Sequence, residues 1–256
     1  MLEIVKKTIV CDKHGEYEAN KIYEIFGEDR FSRCLFCINE LKEEDDKREN
    51  TRLLRHRKEE SHIPTRFLNK YFDSCEFFSE KQEKVIHIAK LFVESFHKCL
   101  NNGTNLIFSG RAGTGKTHLM CVIGNELMQN GYSTFFVSAL QACQRIKGCY
   151  RDSLANERLK LMASFTTCDI LLLDDAGVQF NTETDKLILY EIINARYENL
   201  KPMIVTTNLD RPTLTTCLHE RVMSRLEEAN SRHVIFDFES YRGRSISRNT
   251  EKTKSG

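Results

Sequence analysis

The chain has 256 residues, with 38 Lys and Arg against 37 Asp and Glu for a formal charge of +1. That length suits one large domain plus a small appendage, and the near balance of charge leaves nucleic-acid binding to local patches rather than to the molecule as a whole. No apolar run approaches bilayer length and Met1–Lys7 lacks a signal-peptide core, so a soluble cytoplasmic protein is expected, with no membrane contact and with its ten cysteines as thiols or metal ligands rather than disulfides.

The first forty residues carry Cys11-Asp12-Lys13-His14 and Cys34-Leu35-Phe36-Cys37, a C-x₂-H…C-x₂-C pattern with a nineteen-residue gap. Two close pairs of soft ligands on either side of a hairpin-sized segment are what a tetrahedral structural zinc site needs. Gly15–Glu18 reads as a strand of a small ribbon. So short a segment buries little core, which makes a metal staple reasonable. The other seven cysteines (Cys75, Cys99, Cys121, Cys143, Cys149, Cys168, Cys217) lack paired spacing and read as small core residues.

From Lys42 to Glu60 the chain is almost entirely charged, with Leu53 and Leu54 as its large apolar residues. A solvated helix and a flexible connector are equally compatible with that composition. Ile63-Pro64 opens the next domain, and helical spacing of apolar residues predicts a helix over Glu80–Leu100.

Asn105–Phe108 reads as a buried strand. Gly110-Arg111-Ala112-Gly113-Thr114-Gly115-Lys116-Thr117 follows, fitting G-x-x-x-x-G-K-[ST], and Lys116–Asn130 reads as a helix closed by Asn130-Gly131. Strand, glycine loop and helix in this order form a phosphate-binding loop. Its N–H groups converge on one anion, and the helix N-terminus adds its positive end. Lys116 is expected at the β- and γ-phosphates of ATP and the Thr117 hydroxyl on Mg²⁺.

Thr134–Val137 reads as a second strand, and Ala139–Thr166 as two helices broken near Arg151–Ser153. Asp169–Leu173 is a continuous apolar strand ending in Asp174-Asp175, a pattern suited to a parallel strand covered on both faces. Asp174 is placed to hold Mg²⁺ through water, and Asp175 stands where a base polarises the attacking water. A helix over Asp185–Asn199, a strand over Pro202–Asn208, a helix over Leu214–Ala229 and a strand over Val234–Phe236 complete an alternating α/β order. That order predicts a five-stranded parallel sheet flanked by helices. Arg242, Arg244, Arg248, Lys252 and Lys254 make the C-terminal stretch basic, and residues after Ser247 read as a disordered tail. The expected division is 1–40 for a zinc-ribbon-like module, 41–62 for a charged helical linker, 63–247 for the nucleotide-binding domain and 248–256 for the tail.

Gly110–Thr117, Leu171–Asp175, Thr206-Thr207-Asn208, Glu220–Leu226 and Ser240–Arg244 stand in the order and spacing of a known family. The chain resembles DnaC-type replicative helicase loaders, AAA+ P-loop ATPases related to the IstB transposition ATPases and to the DnaA initiator. The resemblance runs from about Ile63 to Arg244. Arg-Val-Met-x-Arg-Leu followed by Ser-Tyr-Arg-x-Arg is its most specific part. It implies that Asn208 is the polar sensor of the γ-phosphate, Arg225 the arginine finger entering a neighbouring subunit, and Arg242 the second sensor. It also implies self-association through the ATP site, a DnaB-type replicative helicase as partner, and single-stranded DNA as the loading substrate. Asp175 departs from the glutamate common at the base position, which implies slow hydrolysis. Loaders carry an extra helix between the second and third strands that lines a DNA channel. Here that stretch is Ala139–Tyr150, with Arg145, Lys147, Tyr150 and Arg151 as contacts for a strand, and a solvated amphipathic helix is equally compatible with the same residues. An IstB-type transposition ATPase and a zinc-containing nucleic-acid adaptor that binds nucleotide without hydrolysis are the alternative readings.

Overall fold

The computed structural model describes residues 6–25, 28–76, 78–151, 155–177, 182–228 and 231–240. They fall into two compact units, divided between Arg55 and His56.

In the first unit, β1 (Lys6–Cys11), β2 (Gly15–Ile25) and β3 (Glu28–Phe31) form an antiparallel sheet in that order. Cys11 pairs with Gly15, so the β1–β2 turn carries Cys11 and His14 together. Gly15 takes φ +77, a conformation open to glycine at little cost. A register shift between Lys21 and Tyr23 bends β2. The helix α1 (Leu35–Glu60) begins between Cys34 and Cys37, and none of its residues is buried. The charged stretch is thus a helix rather than a loose connector, and it starts inside the cysteine module. Its exposed face carries Arg48 with Glu44 and Asp45, Arg52 with Glu49, and His56 with Glu60, pairs that each add a few tenths of a kcal/mol.

The second unit begins by covering a sheet edge. Phe136 N–H donates to Ser61 O at 2.7 Å. The helices α2 (Glu80–Glu94) and α3 (Phe96–Asn102) follow. The single helix expected over Glu80–Leu100 is broken at Ser95, whose hydroxyl donates to Leu91 O and competes with the helix ladder. Next come β4 (Leu106–Gly110), α4 (Lys116–Gln129), β5 (Thr134–Ser138), α5 (Ala139–Arg151), α6 (Ala155–Thr167), β6 (Ile170–Asp174), α7 (Glu183–Glu198) and β7 (Met203–Thr207). The chain then forms α8 (Arg211–Leu218), α9 (Glu220–Glu227) and β8 (Arg232–Phe236). The expected helix over Leu214–Ala229 is therefore two helices. His219, at φ +69, turns the chain between them.

The five strands pair in the order β5-β6-β7-β4-β8, every pair parallel. The first four residues of β4, β5 and β6 and all five of β7 are buried, as expected for strands covered on both faces. Gly124 on α4 sits so close to the sheet that a Cβ there would meet Leu172 at 2.7 Å. This topology places the carboxyl ends of β4, β7 and β6 side by side, where ligands of open α/β sheets bind. Arg196 is fully buried. It donates to the carbonyls of Phe165, Cys168, Asp169 and Pro202, joining the end of α6 to the starts of β6 and β7. Nothing in the local pattern around Arg196 announces that role.

Candidate nucleotide site and metal cluster

The loop after β4 is shaped by what lies behind it. Gly110 takes φ +143, and a Cβ there would stand 2.4 Å from Phe236 O, so β8 admits only glycine. Thr114 folds back to Arg111 O at 2.9 Å. Lys116, at the start of α4, points into the loop and donates to Gly110 O, Arg111 O and Asn208 Oδ1 at 2.8–2.9 Å.

The carboxyl end of β6 meets this loop. Asp174 Oδ1 accepts from Thr117 Oγ1 at 2.8 Å and from Thr206 Oγ1 at 2.6 Å. Hard oxygens so arranged fit Mg²⁺. Asp175 follows at φ +58, with its N–H on Thr206 Oγ1 and its Oδ1 accepting from Asn208 Nδ2 at 3.0 Å. Burial, and then the like charge of Asp174, push the Asp175 carboxyl up, while Lys116 opposes them. Asn208 thus bridges Lys116 and Asp175, and the sequence-predicted Gly110–Thr117, Asp174, Asp175 and Asn208 converge at one place.

Ala112–Thr117, Asp174, Asp175 and Asn208 line one part of a cleft of about 660 Å³, and Gly110 and Arg111 lie outside its lining. The remainder is lined by Arg66, Phe67, Val85, Ile86, His118 and Phe238 among others. Phe67 and His118 have ring centroids 5.8 Å apart, and the Arg66 guanidinium lies 4.5 Å from the Phe67 ring. Burial, then Lys70 and Arg66, hold His118 below its ordinary pKa, which favours the neutral ring. A polar end for phosphates and an aromatic end for a flat base give the cleft the form of a nucleotide site. The aromatic end carries no motif in the sequence. Its only local signal was the position of His118 directly after Thr117.

Arg225 lies outside the residues lining this cleft. It is half-buried on α9, over the rings of Tyr190 and Tyr197. Arg242 and Arg244 lie outside the described residues, as does the basic tail. On α5, Lys147 is engaged by Asp185 at 2.5 Å and by Thr182, at the start of α7. Arg145 and Tyr150 are exposed, and Arg158 stacks on Tyr150 at 5.1 Å. The side chain of Arg151 lies outside the described residues.

In the first unit, the ligand atoms of Cys11, His14, Cys34 and Cys37 lie within 4.8 Å of one another. His14 Nδ1 stands 3.7 Å from Cys11 Sγ, 3.7 Å from Cys34 Sγ and 3.4 Å from Cys37 Sγ, and the Cys11 and Cys37 sulfurs are 3.5 Å apart. Ligands at Zn–S and Zn–N distances around one ion would be roughly 3.4–3.8 Å apart, so this set fits. The Lys13 N–H, then His14, lower the Cys11 thiol to about 6. Glu40 Oε1 stands 3.1 Å from His14 Nε2, the arrangement that fixes a metal-binding imidazole. Glu40 was not singled out from the sequence, although it lies three residues beyond Cys37, one turn along α1.

Residues 26–246 match the family of IstB-like ATP binding proteins. The chain belongs to this family. It is 34% identical over 173 residues to the replicative helicase loader DnaC of Escherichia coli K12, covering 68% of this chain and 69% of that protein. DnaC of Buchnera aphidicola from Schizaphis graminum is 31% identical over 176 residues, covering 69% and 70%. A crystal structure of the DnaC helicase loader superposes with a TM-score of 0.60 at 26% identity, over 67% of this chain and 99% of that one. AMPPCP-bound DnaA of Aquifex aeolicus shares the fold, at a TM-score of 0.56 and 23% identity over 75% and 56%. The chain is an AAA+ member with an α/β nucleotide-binding fold, and among its described residues no helix is long and apolar enough to cross a membrane.

Proposed function

We propose that this protein is an ATP-driven loader that binds a DnaB-type replicative helicase and places it on single-stranded DNA. The observation that carries the reading is the convergence of Lys116, Thr117, Asp174, Asp175 and Asn208 in one cleft in a chain that is 34% identical over 173 residues to a DnaC loader. Lys116 and the loop N–H groups hold the β- and γ-phosphates of ATP. Thr117 and Asp174 hold Mg²⁺, which would neutralise charge on the transferring phosphoryl group. Asp175 orients the attacking water, and Asn208 couples that carboxylate to Lys116. Arg225 acts on the γ-phosphate of a neighbouring copy, and Arg242 is the second sensor. Self-association through the ATP site follows from this division of labour. The aspartate at the base position keeps turnover slow, as suits a switch spent once per loading event.

In the first unit, Cys11, His14, Cys34 and Cys37 would hold one structural Zn²⁺, with Glu40 orienting the His14 ring. Four protein ligands leave no open position for catalysis. This protein mixed with a replicative helicase, ATP and Mg²⁺ should form a complex of defined mass by native mass spectrometry. It should then transfer the helicase to an oligonucleotide, measured as helicase-dependent unwinding. Failure to bind replicative helicases, with capture of a transposase instead, would move the reading to the IstB type. ATP binding without turnover, with or without single-stranded DNA, would move it to the adaptor.

A further inference from the structure

Arginines near α7 and α9 in the second unit differ in how they spend their guanidinium groups. Arg211 forks Glu227 at 2.6 Å through both Nε and Nη2. Arg158 reaches Glu191 at 2.8 Å. Arg225 does neither. Its guanidinium carbon stands 4.8 Å from the ring centroid of Tyr190 and 5.6 Å from that of Tyr197. Among the described residues no carboxylate pairs with it, and its Nη1 is buried without a hydrogen-bond partner.

Stacking on an aromatic face holds a guanidinium through its plane and uses none of its five N–H donors. The planar edge that forks a phosphate stays free. A donor left buried and unpaired is costly, and a small shift of the guanidinium towards an anion would relieve that cost. Arg225 does not line its own chain's nucleotide cleft, so the anion comes from elsewhere.

We propose that Tyr190 and Tyr197 are positioning residues: a two-ring platform that holds Arg225 with its N–H edge presented to the nucleotide phosphate of a second copy of this chain. The two tyrosines are seven residues apart on α7, two turns along one helix face. Glu228 caps the end of α9 and lies beside the Tyr197 hydroxyl on α7, whose pKa it raises. Arg211 and Glu227 tie the same end of α9 to the start of α8, three residues beyond Asn208. Arg225 therefore sits on elements that continue directly from Asn208, while the two rings stand on α7, the helix before it. The proposal rests on Arg225 acting in trans, and the test separates the two claims.

Arg225→Ala copies keep a nucleotide site but lack the finger. Lys116→Ala copies keep the finger but lack the nucleotide. Mixed with ATP, Mg²⁺ and oligo-dT, the two should restore the turnover each lacks alone. Tyr190→Leu placed in the Lys116→Ala copy should cut that rescue about tenfold or more, the cost of a misaimed catalytic group. The same change placed in the Arg225→Ala copy should leave rescue intact, which also checks that the variant folds. Tyr190→Phe in the finger donor should retain rescue, because the ring face and not the hydroxyl holds the guanidinium. Tyr197→Leu, at a more exposed ring, should give a smaller loss in the same asymmetric sense. Full rescue by Tyr190→Leu finger donors, or equal loss from either copy, overturns the platform. Absence of rescue in the parent mixture overturns the trans finger, and the platform with it.

Discussion

Four strands of the parallel sheet each bury at least four consecutive residues, and a hydrophobic cluster joins the sheet to α5, α7, α8 and α9. In the first unit, by contrast, the only buried residues among those described are Ala19 and Cys34. The larger unit is specified by burial, worth roughly 25 cal/mol per Å² of apolar surface. The smaller has too little interior for that, and four converging ligand atoms stand where a core would be. Polar chemistry is therefore added to a finished scaffold in one unit, and is the scaffold in the other. Removing a functional group should have opposite consequences in the two.

The sharpest form of that contrast is Lys116→Ala. It removes a charged donor with several partners, and bonds to charged groups contribute about 1.5–3 kcal/mol each. A fluorescent ATP analogue should bind about a hundredfold or more weakly, while the larger unit stays folded and the metal content of the first is unchanged. Unaltered analogue binding would remove Lys116 from the site. The converse experiment is metal removal. Chelation, or Cys34→Ser, should unfold the first unit, because binding free energy in such modules is folding free energy. Limited proteolysis should then cut within residues 6–34 while ATP binding persists. Protein purified without chelator that contains no zinc, or Cys34→Ser protein with full zinc content, would refute the site.

What was legible in the sequence follows the same division. The strands of the parallel sheet were readable because apolar residues run continuously there, and the phosphate loop because its glycines, Lys116 and Thr117 are adjacent in the chain. The breaks at Ser95 and His219 were not, since apolar spacing continues across both while a hydroxyl or a positive φ turns the backbone. Phe67, His118 and Phe238 meet only in the folded molecule, so the aromatic end of the cleft had no sequence motif. The ligand spacing was legible, but the strand over Lys6–Cys11 and the role of Glu40 were not, because neither the alternation in so short a ribbon nor one acid in a charged helix stands out.

Smaller changes sharpen the comparison further. Gly124→Ala adds a methyl where α4 already touches Leu172, Thr134 and Ile63. Overpacking of this kind costs about 1–3 kcal/mol, so the denaturant midpoint of the larger unit should fall while zinc binding is untouched. Unchanged stability would mean that α4 shifts freely over the sheet. Glu40→Gln should leave the first unit folded at saturating metal but weaken zinc affinity about 10–100-fold, the usual cost of losing a ligand's orienting partner. Competition with a chromophoric chelator measures this, and an unchanged affinity would show that Glu40 only neighbours His14.

The subtlest test falls on Asp175, where function and stability pull apart. Its carboxyl is held above the ordinary aspartate pKa by burial and by Asp174. A raised folded-state pKa means that the folded state is favoured by the protonated acid at low pH, and that this contribution is lost as pH rises through the raised value. The ionised carboxylate is nevertheless the form that orients water. Turnover should therefore decline on the acid side at a pH above that of an exposed aspartate. Asp175→Asn should abolish turnover yet stabilise the larger unit slightly at neutral pH, since it removes a disfavoured charge and places asparagine at φ +58, a conformation that residue tolerates well. Thermal unfolding of both proteins at pH 5 and pH 8 reads the difference, which should be larger at pH 8. A variant less stable than the parent at pH 8 would show instead that the Asn208–Asp175 hydrogen bond outweighs the burial of the charge.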